Sequence, residues 1–379
     1  MIEKMHMESP QTIRSSVQGT LAGTLCAFEG GWLRLLLPIL LLASSGAGAQ
    51  QQEIRFGVLG LFHPRELVLE QGSGEVISIR ADGGAGIPEL VLNGEPGRRL
   101  ALFRAVGDRV IVGARSASGW TATARNGGVA TFRLTVPGKL RRVYRGRLTI
   151  QVRNGELVAV ASMDRETAVA SIVASEMDET APVEALKAQA VATRSFLAAG
   201  ARHLDFDFCD STHCQFLKSP PPATSRVSSA VQATQGLVLD YRGSPVAAMY
   251  SSRCGGRTRS LRDAGMEPGE GYPYYGVQCA WCLQHPLVWR TRIGKSGPAP
   301  KPGDEPQRIV EARQWGWSAI PGNDFAAIED GSGWRLEGHS VGHGLGMCQH
   351  GAAGMAASGA NFREILAHYY PNTSLVSRP

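Results

Sequence analysis

Two sets of side chains in this chain have the types and spacing for chemistry. The first is His203-x5-Cys209-x3-His213-Cys214, which offers two imidazoles and two thiols in one short stretch. Two thiolates and two imidazoles suit tetrahedral zinc and leave no open position on the metal. The same stretch also reads as a Cys209–Cys214 disulfide closing a short loop, with His203 and His213 as bystanders. The second set is centred on Glu176. It follows the apolar run Ala168 to Ala174 and precedes a strong helix running from Thr180 to about Gly200. The polar side of that helix carries Lys187, Arg194 and Ser195. A carboxylate so placed is either a proton-transfer group or a surface acid near a helix N-terminus. A general acid needs a raised pKa, which desolvation supplies, whereas a helix N-terminus and Arg194 would push it down.

The helix reads Pro182-Val183-Glu184-Ala185-Leu186-Lys187-Ala188-Gln189-Ala190-Val191-Ala192-Thr193-Arg194-Ser195, with Glu176-Met177 ahead of it. Far downstream stands Gly342-His343-Gly344-Leu345-Gly346-Met347-Cys348-Gln349-His350-Gly351-Ala352. In this order the two segments resemble the SpoIID/LytB domain family, with Cys348 where Ser is common and His350 where Tyr is common. The resemblance covers roughly Tyr144 to Tyr370. It implies a peptidoglycan lytic transglycosylase that cleaves the MurNAc-GlcNAc bond of glycan strands stripped of stem peptides, leaving 1,6-anhydro ends. Glu176 would be the acid/base. Arg194, Ser195, Tyr250, His343 and Gln349 would be substrate-binding or positioning groups. Each also has a plain alternative: a surface Arg194, a Tyr250 packed in the core, a buried His343 satisfied by backbone. Some relatives bind zinc at a loop matching His203, Cys209, His213 and Cys214. An amidase that strips the stem peptides is the implied partner protein. The alternative within the family is a non-catalytic wall-binding or amidase-enhancing protein, and retention of Glu176, Arg194 and the His343 segment favours the enzyme. A zinc-dependent hydrolase would need an open metal position, and no His-Glu-x-x-His pattern is present.

The elements that must position these groups read as α+β. Residues 50–141 show alternating strand-like runs such as Thr131 to Val136, separated by Gly-rich turns, and form a β-rich N-terminal region. Residues 142–375 form the expected catalytic domain. It opens on a hairpin around Asn154-Gly155, followed by a helix from Met163 to Ala174 and then by the strong helix. That helix has Thr180 as N-cap and Val183, Leu186, Ala190 and Leu197 as its buried stripe. Further helices are expected over Thr224–Gln235, Pro306–Trp315 and Asn361–Tyr370, and a second hairpin joins Gly236–Asp240 to Val246–Ser251. Hydrophobic content of 43% and charged content of 19% describe a globular chain. The net charge of +6 is compatible with an anionic wall polymer or membrane surface, and no basic run or aromatic platform points to nucleic acid.

Residues 1–49 read as a secretory signal peptide. Trp32 to Ala43 is its apolar core, and Ala47-Gly48-Ala49 is the cleavage site. The core is shorter than the roughly 20 residues of a spanning helix, although an uncleaved anchor stays open. Export to the periplasm, wall or exterior implies an oxidising compartment. Cys26 leaves with the leader. Of the rest, Cys254, Cys279, Cys282 and Cys348 are expected to form a pair of disulfides, a second metal tetrad being the alternative.

Overall fold

The computed structural model describes residues 53–378, apart from Ser73, Gly84, Ala85, Glu270 and residues 296–298. The expected signal peptide lies outside the described residues. The fold is α+β with a β-rich N-terminal region. Alternation does what it should in residues 130–136, where Ala130, Phe132, Leu134 and Val136 are buried and the residues between them are not. This strand belongs to a sheet of twelve.

Three neighbouring strands of that sheet carry the chain into the site: β1 (Glu53–Val58), β2 (Leu140–Arg153) and β3 (Glu156–Asp164). Asn154 and Gly155 turn β2 into β3 with φ of 52° and 76°, the left-handed pair a two-residue hairpin needs. The expected boundary at residue 141 falls inside β2, which pairs with Ala130–Val136 on one side and β3 on the other. A short strand, β4 (Phe208–Cys209), adds parallel to β1, setting Cys209 beside Gly57. A Cβ on Gly57 would sit 2.4 Å from the Phe206 ring, so any side chain there would have to displace that ring from the sheet.

Helix α1 (Arg165–Glu176) follows β3 directly, capped by the Asp164 carboxylate, which accepts from the Thr167 amide at 2.9 Å. Glu176 is its last residue. Helix α2 (Val183–Ala198) has Pro182, not Thr180, at its N-cap. The Thr180 amide and hydroxyl are instead taken by Asp178 Oδ1 at 2.8 and 2.6 Å, which turns the chain ahead of the helix.

Of the expected polar face of α2, Lys187 stays partly exposed, whereas Arg194 and Ser195 are fully buried. Leu186, Ala190, Phe196 and Leu197 pack into the core beneath the sheet. Ala185, Ala188, Val191 and Ala192 pack into a second core on the opposite side. A helix covered on all sides must satisfy its polar groups internally. Of the predicted stripe, only Val183 lies outside, at the exposed first turn. The second core is completed by α6 (Gln349–Ala357) and α7 (Phe362–Tyr369), which come after α3 (Arg226–Ala233), α4 (Ala280–Gln284) and α5 (Glu305–Trp315).

The second hairpin is shorter than expected. Strand β5 (Leu237–Tyr241) turns back only to Ser244–Pro245. Strand β6 (Tyr250–Ser251) departs to pair in parallel with β7 (Met347–Cys348). Among the described residues no helix is long and apolar enough to cross a membrane.

Candidate active site

Glu176 ends α1 half-buried, beside polar groups from other parts of the chain. The Gln349 amide at the first turn of α6, the Phe216 backbone and the Lys218 charge lie close enough to its carboxylate to favour the anion. Burial pushes its pKa above the ordinary carboxylate range and outweighs these three stabilising partners. The carbonyl end of α1 acts in the same direction as burial. The opposing pull expected from Arg194 does not arise, because Arg194 is committed elsewhere.

A chain of amides lies behind the carboxylate. Gln349 Nε2 donates to Gln189 Oε1 at 3.3 Å, and Gln189 Nε2 donates to Thr193 Oγ1 at 3.3 Å. Tyr250 on β6 donates its hydroxyl to Gln215 Oε1. Burial and the nearby Glu176 charge hold this phenol well above its usual range, although it hydrogen-bonds Thr193, Gln215 and Gln189. It is therefore a neutral phenol near the carboxylate, with its one proton given to Gln215. Of the predicted substrate-side residues, Tyr250 and Gln349 are thus brought to Glu176.

Arg194, Ser195 and His343 make their hydrogen bonds within the protein rather than to Glu176. Arg194 is fully buried. Its guanidinium donates to both Glu166 oxygens at 2.8 and 2.7 Å, and to the Ala190, Leu237 and Val231 carbonyls. All five donors of the fork are used, so none is left for a glycan. Ser195, also fully buried, donates to the Val191 carbonyl at 2.6 Å and accepts the Leu239 amide at 2.8 Å. The Nδ1 of His343 accepts the Leu345 amide at 2.9 Å, and the ring also hydrogen-bonds the Tyr250 main chain. Burial lowers its pKa, so the ring is neutral and braces β6.

Gln189, Thr193, Gln215 and Lys218 complete the site and were not singled out from sequence. Gln189 left a trace there, a lone amide among alanines in the strongest motif. Gln215 and Lys218 left none; they matter because they follow Cys214.

That connection makes the His203–Cys214 loop part of the site's frame. Candidate ligand atoms of His203, Cys209, His213 and Cys214 all lie within 4.8 Å of one another. His203 Nε2 is 3.2 Å and His213 Nδ1 3.4 Å from Cys214 Sγ. Cys209 and Cys214 are not disulfide-bonded, and both histidines converge on the thiols, a role a disulfide does not require. The donor set and its spacing fit one tetrahedral zinc. Asp210 fastens the loop to the sheet: its carboxylate meets Arg142 and Tyr144, each at 2.8 Å, and accepts the Leu59 amide at 3.1 Å.

Residues 153–241 match the SpoIID family, described as Stage II sporulation protein. That span includes Glu176, α2 and the His203–Cys214 loop. The chain is 29% identical over 269 residues to an uncharacterized protein of Brachyspira hyodysenteriae, covering 62% of this chain and 72% of that one. It is 26% identical over 271 residues to Stage II sporulation protein D of Bacillus subtilis, covering 57% and 76%. A stretch of 49 residues is 43% identical to the Amidase enhancer of Bacillus subtilis, covering 13% of this chain and 7% of that protein.

Proposed function

Since this chain belongs to the SpoIID family, we propose that it is an exported peptidoglycan lytic transglycosylase, with Glu176 as its single acid/base. The observation that carries the reading is Glu176 itself. It is a carboxyl group held protonated further up the pH scale by burial, yet facing hydrogen-bonding partners that stabilise its anion. A group that first gives a proton and then takes one back needs both properties.

In the proposed reaction Glu176 donates its proton to the glycosidic oxygen as the bond to MurNAc C1 breaks. The carboxylate then removes the proton of the muramic acid C6 hydroxyl, whose oxygen closes on C1. The products are a 1,6-anhydro end and a new sugar hydroxyl, and Glu176 regains its proton. No water is consumed, so the second carboxylate that most hydrolases use is not required. Gln349 and the Phe216 backbone hold the carboxylate's orientation, and Lys218 favours the anion in the second step. Tyr250 stands beside it as a fixed neutral phenol whose proton is given to Gln215. The substrate class, glycan strands already stripped by an amidase, comes from the family resemblance.

We further propose a structural zinc on His203, Cys209, His213 and Cys214. When bound, it supplies rigidity rather than Lewis-acid chemistry, because all four positions are taken by protein. It would hold Gln215 to Lys218 against Glu176.

The test is purified protein on denuded glycan strands, with ends identified by mass spectrometry. Wild type should give anhydro ends. Glu176→Gln should lose at least about a hundredfold in rate, the usual contribution of general acid–base catalysis, while still binding strands. Binding without anhydro products in wild type would instead support the non-catalytic reading that the Amidase enhancer match favours.

A further inference from the structure

Cys254, Cys279, Cys282 and Cys348 were expected to form a pair of disulfides. None of them is disulfide-bonded, and all four are buried. Their sulfurs lie within 4.8 Å of one another, with Cys282 and Cys348 at 3.5 Å. Four thiols packed merely as small apolar groups have no reason to aim at one point. A pair of disulfides would group them two by two at about 2 Å. A tetrahedral ion with bonds of about 2.3 Å to sulfur puts the sulfurs roughly 3.8 Å apart, which leaves room for one ion and not for a cluster.

The surroundings suit thiolates. Cys348 is the N-cap of α6, and its Sγ accepts the Gly351 amide at 3.3 Å. The Tyr369 hydroxyl stands 3.4 Å from Cys279 Sγ. A Cβ on Gly351 would lie 2.4 Å from Cys279 Sγ and 2.1 Å from the Tyr369 oxygen, so glycine is needed for α6 to approach this closely. Donors trained on the sulfurs are what orient the ligands of a metal site.

We propose that Cys254, Cys279, Cys282 and Cys348 bind a second, structural zinc ion. Its ligands come from three stretches: the segment after β6, the Cys279–Cys282 turn at α4, and the β7–α6 junction. Two of these abut the candidate active site, since Tyr250 lies shortly before Cys254 and Gln349 directly follows Cys348. The ion therefore locks two site residues in place from behind. All four positions are protein thiolates, so it takes no substrate.

Metal content and thiol state of the full chain decide the matter without reference to activity. Native mass spectrometry and elemental analysis should find one zinc per chain in the His203→Ala variant, where the other tetrad is broken. Cys254→Ser in that background should release it. Cobalt loaded into the His203→Ala protein should show the intense near-ultraviolet sulfur-to-metal absorption of a tetrathiolate. Should these variants fail to fold, wild type still tests the disulfide alternative by its thiol state, and the second zinc by a content of two zinc ions per chain. Alkylation under denaturing, non-reducing conditions with chelator should label all four cysteines. Disulfides among them, or a folded His203→Ala protein holding no metal, would overturn the proposal.

Discussion

At the scale of the residue, the proposed chemistry turns on how Glu176 is solvated. Its folded-state pKa lies above the unfolded value because burial disfavours the anion. The folded protein therefore holds this proton more tightly. The group costs stability as pH rises from the ordinary carboxylate range through the raised value, and costs nothing below that window. Glu176→Gln removes the titration, so its melting temperature relative to wild type should climb as pH goes from acid to neutral. A flat difference across that range would mean that Glu176 is not desolvated. Gln349 opposes the burial effect by hydrogen-bonding the anion. Gln349→Ala should therefore raise the Glu176 pKa further and move the alkaline limb of the pH–rate profile to higher pH. A limb moving down, or not at all, would separate Gln349 from the carboxylate.

At the scale of the element, α1 and α2 must be held in register for Glu176 to reach Gln349. Arg194 does this from the far end of α1, gripping Glu166 in its first turn and reaching the Val231 carbonyl on α3 and the Leu237 carbonyl on β5. Removing one partner of a buried pair typically costs about 3–5 kcal/mol. Arg194→Ala should lose stability of that order in denaturant titration. Arg194→Lys should recover little, since an ammonium cannot make the planar two-pronged contact. Stability within about 0.5 kcal/mol of wild type would return Arg194 to the surface role weighed from sequence. The reason its burial does not show in the sequence is physical. An arginine on a helix reads as solvated until something covers that face, and α3 and β5 do so here.

At the scale of the whole molecule, the β-rich region is tied to the site through the His203–Cys214 loop. Asp210 anchors it to Leu59, Arg142 and Tyr144, while Gln215 to Lys218 extend from its other end to Tyr250 and Glu176. The zinc proposed for this loop would contribute to folding on the order of several kcal/mol, because no preformed site exists in the unfolded chain. Chelator should lower the melting temperature, and His203→Ala should reproduce part of the loss, since a disulfide would make no use of that imidazole. A His203→Ala protein that melts with wild type would rule out the loop's metal and leave the Glu176 reading untouched. Much of this was legible in the linear chain, because the rules involved are local. Alternation placed the strands, Asn154-Gly155 placed a turn, the α2 motif placed the helix beside Glu176, and short spacing grouped His203 with Cys214. What the sequence could not determine was the partner of each buried polar group. Arg194 finds Glu166 at 28 residues' separation, and Gln349 finds Gln189 at 160. Only tertiary packing decides which donors meet which acceptors once water is excluded, and those pairings separate the groups that face Glu176 from the groups that merely hold it in place.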